Sequence, residues 1–424
     1  MPEPVNVLYC ESNVDGTIGG SHYCLLYLVE NLDRRAFTPI VRFYEDHALV
    51  PRFRAAAETI VEPRKPPVSW GARSRGALGA PVRLARRGVN ALKALSQFRE
   101  QVRFLKERRI GIVHLNNSIV RHHDWKLASL VAGVPCVSHE RGLPVYSGTS
   151  KRLGARMALL IAMSQWIADH MVKGGVSPHN IVVMYDGIDA AKLEGPRPVA
   201  ELRRTWEVSP DQPVIGIVGN VRVWKGQDIV MRALIDIVEA FPDVVCFFVG
   251  ASSTSSHDAV FMADLKRLAA DHGLERNVRF TGYQKDTPAF VQMMDVVIHA
   301  SRDPEPFGMV GLEAMAQRKP LVGSGAGGMT EIIVDGVTGY QFPPGDHQAL
   351  AERVTRLLRD RALAAAMGER GYARLKEHFS LDQYMAQIHA AYGRLLGRTP
   401  SSLHAENLAA AKRGEAVPVG QRPS

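Results

Sequence analysis

The stretch "DVVIHASRDPEPFGMVGLEAMAQRKPLVGSG", residues 295–325, contains a strand, a helix and a second strand. Its first apolar run predicts a buried strand, 308–318 predicts a helix, and "PLVGSG" predicts the next strand. Strands that alternate with helices are typical of a parallel sheet covered on both faces. Glu305 lies in the loop before the helix, and Glu313 lies in the helix eight residues later.

The same alternation extends over most of the chain, in two successive runs. Short apolar segments at the predicted strands are 5–10, 111–117, 135–140, 159–164, 213–220, 244–250 and 278–282. We therefore predict an α/β architecture of two doubly wound, Rossmann-like domains facing an interdomain cleft, where such sheets bind ligands. The predicted parts are a first domain at 1–195, a second at 196–377, a helix at 378–397 that packs back on the first domain, and a disordered tail at 398–424.

Composition is that of an ordinary globular protein. The chain has 424 residues, of which 46% are hydrophobic and 22% charged, enough for two domains with their own cores. Its four cysteines are scattered, which argues against a disulfide framework or a zinc site. The first residues lack the pattern of a signal peptide, and no window has 18 uncharged apolar residues. These features predict a cytoplasmic protein.

Basic charge is concentrated in one segment. Residues 64–109 contain thirteen Lys or Arg and two Glu, a local net charge of +11, whereas the whole chain has +9. Apolar residues near every third or fourth position from Val82 to Leu105 predict an amphipathic helix there. It is either a solvated surface helix or a patch that binds an anionic membrane or a phosphate-bearing acceptor. Nucleic acid is not expected, because no aromatic side chains interleave the charges. The patch comprises Arg83, Arg86, Arg87, Lys93, Arg99 and Arg103.

Four predicted strand-to-helix turns are rich in glycine. They are "DGTIGG" (15–20), "GNVRVWKG" (219–226), "PFGM" (306–309) and "GSGAGGM" (323–329). Glycine lets a backbone approach a ligand closely, and free N–H groups at a helix N-terminus suit a phosphate. Arg222 and Lys225 could clamp a diphosphate, and a carboxylate could accept hydrogen bonds from a ribose. Taken alone, Glu305 and Glu313 could equally be a loop acid and a surface-helix acid.

The second half resembles the retaining GT-B glycosyltransferases of family 4. The resemblance rests on "EPFGMVGLEAMA" (305–316) with its two glutamates, on "GAGGMTEIIVDGVTGYQFPPGD" (325–346) and on "KGQDIVMRAL" (225–234). In the first half, "GTIGGSHYCLLYLVENL" (16–32) and "LVAGVPCVSHERG" (130–142) also match. The resemblance covers about residues 1–395 and is weakest at 45–110.

The resemblance implies roles for individual residues. His139, Glu305 and Lys225 would be catalytic: His139 near the reacting carbon, Glu305 on the donor sugar hydroxyls and Lys225 on the diphosphate. Glu313 would hold the ribose of the nucleotide. The remaining donor-binding positions would be Gly19, Gly20, Arg222, Gly282, Tyr283, Phe307, Gly308, Met309 and Val310. The chain departs from the family at Asn220, where an Arg is usual; Arg222 could supply that charge.

The implied reaction is transfer of a hexose-type sugar, with retention, from a UDP- or GDP-sugar to a glycan or lipid-linked acceptor. No D-x-D metal signature is present, so a metal-independent reaction without a cofactor is expected, at the inner face of the membrane or in the cytoplasm. The alternatives are a sugar-nucleotide epimerase on the same fold and an inactive peripheral membrane or assembly protein. A negative charge among the bare amides would repel a diphosphate, so Gly308→Asp is predicted to abolish donor binding and leave the fold intact.

Overall fold

The computed structural model describes residues 3–12, 18–63, 79–193, 197–252 and 256–397, with the backbone alone at 79–88 and 256–257. The chain forms two compact units. Unit 1 takes its residues from Met1–Met163, Ile167–Met184 and Met385–Ser424, and unit 2 takes its residues from Ser164–Trp166 and Tyr185–Tyr384.

The described part of unit 1 contains a seven-stranded parallel sheet with the order β3-β2-β1-β4-β5-β6-β7. Its central strands are buried and contain several Val and Ile residues. The elements are β1 (Val5–Cys10), α1 (Gly20–Glu30), β2 (Phe37–Phe43), α2 (Val50–Ala56), β3 (Glu58–Val61), α3 (Gly79–Glu107), β4 (Ile110–Leu115), α4 (His123–Ala132), β5 (Cys136–Glu140), α5 (Gly148–Gly154), β6 (Leu159–Ala162), α6 (Gln165–Lys173) and β7 (Ile181–Val183).

The described part of unit 2 contains a six-stranded parallel sheet with the order β10-β9-β8-β11-β12-β13. In each sheet the chain first adds strands on one side of its first strand (β1 or β8) and then adds the later strands on the other side. This change of side defines a doubly wound sheet, so the predicted α/β architecture is confirmed. The elements are α7 (Val199–Thr205), β8 (Val214–Val218), α8 (Gln227–Ala240), β9 (Val245–Val249), α9 (Ser256–Asp271), β10 (Val278–Gly282), α10 (Thr287–Met293), β11 (Val296–His299), α11 (Met309–Ala316), β12 (Leu321–Ser324), α12 (Met329–Ile332), β13 (Gly339–Phe342), α13 (His347–Arg359), α14 (Arg361–His378) and α15 (Leu381–Leu395).

The units divide between Met184 and Tyr185, eleven residues before the boundary predicted at 195/196. The physical reason is that the connector already packs on unit 2. The Tyr185 ring stacks on Phe307 with centroids 5.8 Å apart, and Gln317 donates a hydrogen bond to the Leu193 carbonyl.

The last helix, α15, belongs to unit 1 from Met385 onward. The Tyr392 hydroxyl lies 2.6 Å from His114 Nδ1, and His389 Nε2 accepts a hydrogen bond from the Asp33 backbone at 3.2 Å. The helix is thereby anchored on β4 and on the turn before β2. The predicted tail at 398–424 lies outside the described residues, as does the start of the basic segment at 64–78.

Helix α3 carries the basic patch. Lys93, Arg99 and Arg103 are exposed, whereas the side chains of Arg83, Arg86 and Arg87 lie outside the described part. The apolar face is only partly covered: Leu105 is buried, but Leu92 is 69% exposed and Leu95 43% exposed. Among the described residues, no helix combines the length and apolar character needed to cross a bilayer.

Candidate functional site

Two neighbouring strands of unit 2 bring Lys225 and Glu305 together. Lys225 ends a single 3₁₀ turn that follows β8, and Glu305 lies in the loop after β11. Strands β8 and β11 are hydrogen-bonded partners running in the same direction. Their following loops therefore meet at one edge of the sheet, where doubly wound proteins bind ligands.

Lys225 and Glu305 form a close ion pair. The ammonium Nζ lies 2.7 Å from Oε1 and 2.9 Å from Oε2 of the carboxylate. The side chains are 18% and 14% exposed, so water screens the pair only weakly. Lys225 Nζ also lies 4.3 Å from the centroid of the Trp224 ring, a cation–π distance.

Glu305 has two further donors that the sequence motifs did not indicate. His299 Nε2 lies 2.6 Å from Oε2, and Ser301 Oγ donates to the same oxygen at 2.9 Å. Burial by itself raises the pKa of Glu305, but the charges of Lys225 and His299 and their hydrogen bonds outweigh it and hold the pKa well below its usual range. The carboxylate is therefore ionised. Among the described residues Lys225 alone donates to Oε1, so this oxygen retains capacity for a hydroxyl.

Bare backbone amides lie next to this pair. Gly308 has a left-handed φ of 105° and precedes α11, which starts at Met309. Among the described residues, no acceptor takes the N–H groups of Phe307, Gly308, Met309 or Val310. Unsatisfied N–H groups at a helix N-terminus carry partial positive charge and favour an anion.

The glycines of the turn after β12 pack against the loop that carries Glu305. A Cβ at Gly327 would collide with the Glu305 carbonyl, and the Gly328 N–H donates to that carbonyl at 2.8 Å. Ser164 Oγ donates to the Pro306 carbonyl at 2.7 Å. These contacts fix the loop that carries Glu305. The sequence suggested that these glycines let the backbone approach a ligand. In the structure, Gly327 and Gly328 instead let the backbone approach the neighbouring loop at Glu305 and Pro306.

Gly308 is also tightly enclosed. A Cβ there would collide with Met329 Cε, and its positive φ strains any residue with a Cβ. Gly308→Asp is therefore expected to destabilise the fold as well as to affect donor binding, because both the backbone conformation and the contact with Met329 oppose the new side chain.

Glu313 and Arg222 have capacity for a ligand. Glu313 is half-buried in α11, and its carboxylate makes no hydrogen bond within the described part of the chain. Burial raises its pKa, and the charge of Lys225 opposes that change. Arg222 Nε is buried without a hydrogen-bond partner, and its guanidinium forms no ion pair with any described residue.

Gly282 and Tyr283 lie at the end of β10, two strands away from β8 in the sheet. Gly282 has a φ of 66°, and Tyr283 is 61% exposed. The structure thus places an exposed aromatic ring at a predicted donor-binding position.

The remaining predicted residues belong to unit 1. His139 lies at the end of β5 and is fully buried. Arg141 Nη2 donates to its Nδ1 at 3.2 Å; because Arg has no acceptor, the neutral ring carries its proton on Nε2. Burial, with the charges of Arg141 and His114, holds the pKa of His139 well below its usual value, so this ring is neutral. Gly19 and Gly20 are exposed at the start of α1.

Comparison with known proteins indicates the class of the protein. Residues 199–374 match the family model for glycosyl transferases group 1. The lipopolysaccharide core biosynthesis mannosyltransferase LpsB of Rhizobium meliloti is 29% identical over 253 residues, which are 59% of this chain and 70% of that protein. The mannosyltransferase LpcC of Rhizobium leguminosarum bv. viciae is 32% identical over 220 residues, 52% of this chain and 61% of that protein.

A solved structure extends the similarity to both units. Anabaena Alr3699/HepE in complex with UDP superposes with a TM-score of 0.75 at 25% identity, covering 91% of this chain and 98% of that one. The fold is therefore GT-B, and the matches define the class of the protein as a glycosyltransferase.

Proposed function

We propose that the protein is a retaining hexosyltransferase of family 4 that transfers a sugar from a UDP- or GDP-sugar to a glycan or lipid-linked acceptor. The observation that carries the proposal is the ion pair of Lys225 and Glu305 beside the four bare N–H groups of 307–310. A nucleotide diphosphate sugar has hydroxyls at both ends and two phosphates between them. Glu305 and Glu313 suit the hydroxyls of the sugar and the ribose, and the amides suit the phosphates.

The same groups favour the reaction. The bond from the anomeric carbon to the phosphate oxygen breaks, and the bond from that carbon to the acceptor oxygen forms on the same face. The acceptor proton passes to the leaving phosphate oxygen. Negative charge grows on the diphosphate, and Lys225, Arg222 and the amides at the start of α11 would stabilise it without a metal ion. Neutral His139 would act only as a hydrogen-bond donor from Nε2.

Mannose and glucose are the preferred donor sugars, and polysaccharide assembly is the preferred context. LpsB and LpcC are named mannosyltransferases of the lipopolysaccharide core, and Alr3699/HepE was solved with UDP and with UDP-glucose. The exposed Lys93, Arg99 and Arg103, with Leu92 beside them, would hold the enzyme at an anionic membrane surface. Sedimentation with vesicles tests this part: equal binding to neutral and anionic vesicles would rule it out.

Calorimetry with GDP-mannose and UDP-glucose tests the donor site. Lys225→Ala and Glu305→Ala are expected to lose binding, whereas Arg318→Ala, which breaks an exposed ion pair with Glu369 in the same unit, is expected to bind normally. No binding by the unaltered protein, or binding that survives both site variants, would contradict the proposal. NMR of the product reads the anomeric configuration, turnover in EDTA tests metal independence, and interconversion of the donor sugar without transfer would favour an epimerase.

A further inference from the structure

A cavity lies within unit 2 at the amino ends of its central strands. Pro213, Asp295 and Pro320, which directly precede β8, β11 and β12, line one side of it. The end of α13 and the start of α14 line the other side. Its volume is about 230 Å³, smaller than the sites of about 300–1,000 Å³ that hold drug-sized ligands. The cavity therefore has room for a small ligand, at the opposite ends of the strands from Lys225 and Glu305.

Positive charge dominates the lining of this cavity. Its charged residues sum to +2 and are Arg318, Lys319, Arg361 and Asp295. Two of them already have partners: Arg318 pairs with Glu369, and Asp295 Oδ2 accepts the N–H of Val214 at 2.8 Å. Lys319 and Arg361 are therefore the cations that a ligand can engage.

Neither Lys319 nor Arg361 has an anionic partner in contact. Within the described part of the chain, their side chains form no hydrogen bond and no ion pair. Arg361 is exposed, whereas Lys319 is half-buried. Burial lowers the pKa of Lys319; the charge of Asp295 opposes this change and that of Arg203 adds to it. An anion beside Lys319 would offset the cost of burying its ammonium.

The backbone that carries Lys319 is firmly held. Its N–H donates to the Ala314 carbonyl at 2.9 Å and so ends α11. The preceding residue, Arg318, has a left-handed φ of 54°. A Cβ at Gly368 would collide with the Arg318 carbonyl, so α14 packs directly against this turn. The cation therefore starts from a fixed position, which lowers the entropic cost of binding.

The remaining walls select the class of ligand. Most of them are apolar, with Phe241, Leu357 and Leu358 as the largest side chains. Apolar walls weaken the competition of water with an ion pair, and they also fit an apolar part of the ligand. A phosphate monoester carries a charge of about −1.5 to −2 at pH 7, which matches two unpaired cations, whereas a carboxylate would match one.

We infer that this cavity binds a small phosphate monoester with an apolar body. The phosphate would engage Lys319 and Arg361, and the body would lie against Phe241 and the end of α13. None of the predicted donor-binding residues lines the cavity. Helix α11 begins at the bare amides of the donor site, and Lys319 lies just beyond its end. The ligand would thus be bound apart from the place where a nucleotide sugar is proposed to react.

Calorimetric titration of the full chain tests the inference with benzyl phosphate, with inorganic phosphate, and with benzyl alcohol as the uncharged match. Lys319→Met removes the ammonium and keeps most of the side-chain volume, whereas Lys319→Arg keeps the charge. Lys266→Met, at an exposed position on α9 of the same unit, is the matched control. Lys319→Met is expected to weaken binding of benzyl phosphate about ten- to hundredfold, while Lys319→Arg and the control bind as the unaltered protein does.

Thermal unfolding shows whether each variant is folded, and Arg361→Gln, at an exposed position, serves if Lys319→Met is not. The inference is wrong if the unaltered protein does not bind benzyl phosphate, or if benzyl alcohol binds as tightly. It is also wrong if both Lys319→Met and Arg361→Gln bind as the control does. Tighter binding of inorganic phosphate than of benzyl phosphate would overturn the assignment of an ester.

Lys225→Ala separates this cavity from the donor site, whose amides and cations could also attract a phosphate. Benzyl phosphate is expected to bind Lys225→Ala as it binds the unaltered protein. Binding that is lost in Lys225→Ala and kept in Lys319→Met would place the phosphate at the donor site and overturn the inference. Loss of nucleotide binding alone would contradict the proposed function and leave the cavity assignment standing.

Discussion

Replacing Lys225 by Met is the most informative single change in unit 2. It removes the ammonium that lies 2.7 Å and 2.9 Å from the two carboxylate oxygens of Glu305, and Met keeps most of the volume of the side chain. The Glu305 side chain is 14% exposed in the unaltered protein, and among the described residues His299 and Ser301 would remain as its donors. The change therefore leaves a poorly compensated charge in a mostly buried place.

The expected loss in the free energy of unfolding follows from that burial. Removing one partner of a fully buried pair costs about 3–5 kcal/mol. Residual exposure and the two remaining donors reduce this to about 2–3 kcal/mol for Lys225→Met. Adding Glu305→Gln removes the stranded charge, so the double variant is expected to lose only about 1 kcal/mol relative to the unaltered protein.

The pH dependence has a definite sign. In the unaltered protein the pKa of Glu305 is lower in the folded state than in the unfolded state. Its stabilisation is thus fully present above the ordinary glutamate pKa and is lost only as pH falls through the lowered folded-state value. In Lys225→Met, burial acts with less opposition and raises the pKa of Glu305 above its value in the unaltered protein. The cost of the substitution is therefore expected to grow as pH rises above about 4.

Urea and thermal unfolding of the full chain measure these costs, with Arg318→Met as an exposed control. Calorimetry with GDP-mannose and UDP-glucose then separates stability from binding, because the stable double variant is expected to bind neither donor. A loss below about 0.5 kcal/mol for Lys225→Met, or a double variant no more stable than the single one, would refute the reasoning.

Three further changes test other parts of the molecule. Gly308→Ala is expected to lower the free energy of unfolding by about 2–4 kcal/mol, measured by thermal unfolding. The double variant with Met329→Ala should lose less than the sum of the two single losses, because truncating Met329 removes the collision but not the strained φ. Additive losses would contradict this. Burial raises the pKa of Glu140 to about 8 from 4.5, so its ionisation destabilises the folded state as pH rises between these values. Glu140→Gln should therefore make the melting temperature less dependent on pH over that interval. Tyr392→Phe leaves His114 without its 2.6 Å partner and is expected to cost about 1–3 kcal/mol and to speed proteolysis of α15; an unchanged digestion pattern would argue against that anchor.

The parallel sheets were predictable because most of their central strands are short apolar segments that contain Val and Ile. Strand β2, "FTPIVRF", was not predicted, since Thr38, Pro39 and Arg42 interrupt its apolar pattern. It forms because β1 and β3 pair with it on either side. Tertiary pairing there outweighs local preference.

The candidate site was predictable in part, because Glu305 and Lys225 lie in recognisable motifs. Their contact was not, since it depends on β8 and β11 being neighbours although 80 residues separate the two side chains. His299 and Ser301 had a signal, two polar residues ending an apolar strand just before Glu305.

The discontinuity of unit 1 has a consequence for how the chain is made. A ribosome releases all residues of unit 2, ending at Tyr384, before it releases the last stretch of α15. Ile388 and Tyr392 of that helix are fully buried in the finished unit, and Tyr392 packs against Phe37 and His114. During synthesis the first half therefore waits with this apolar face uncovered while the second half can fold. The residues of unit 1 that precede unit 2 are therefore among the last to reach their final packing. Nascent chains stalled before Met385 should bind chaperones through the uncovered apolar surface of unit 1.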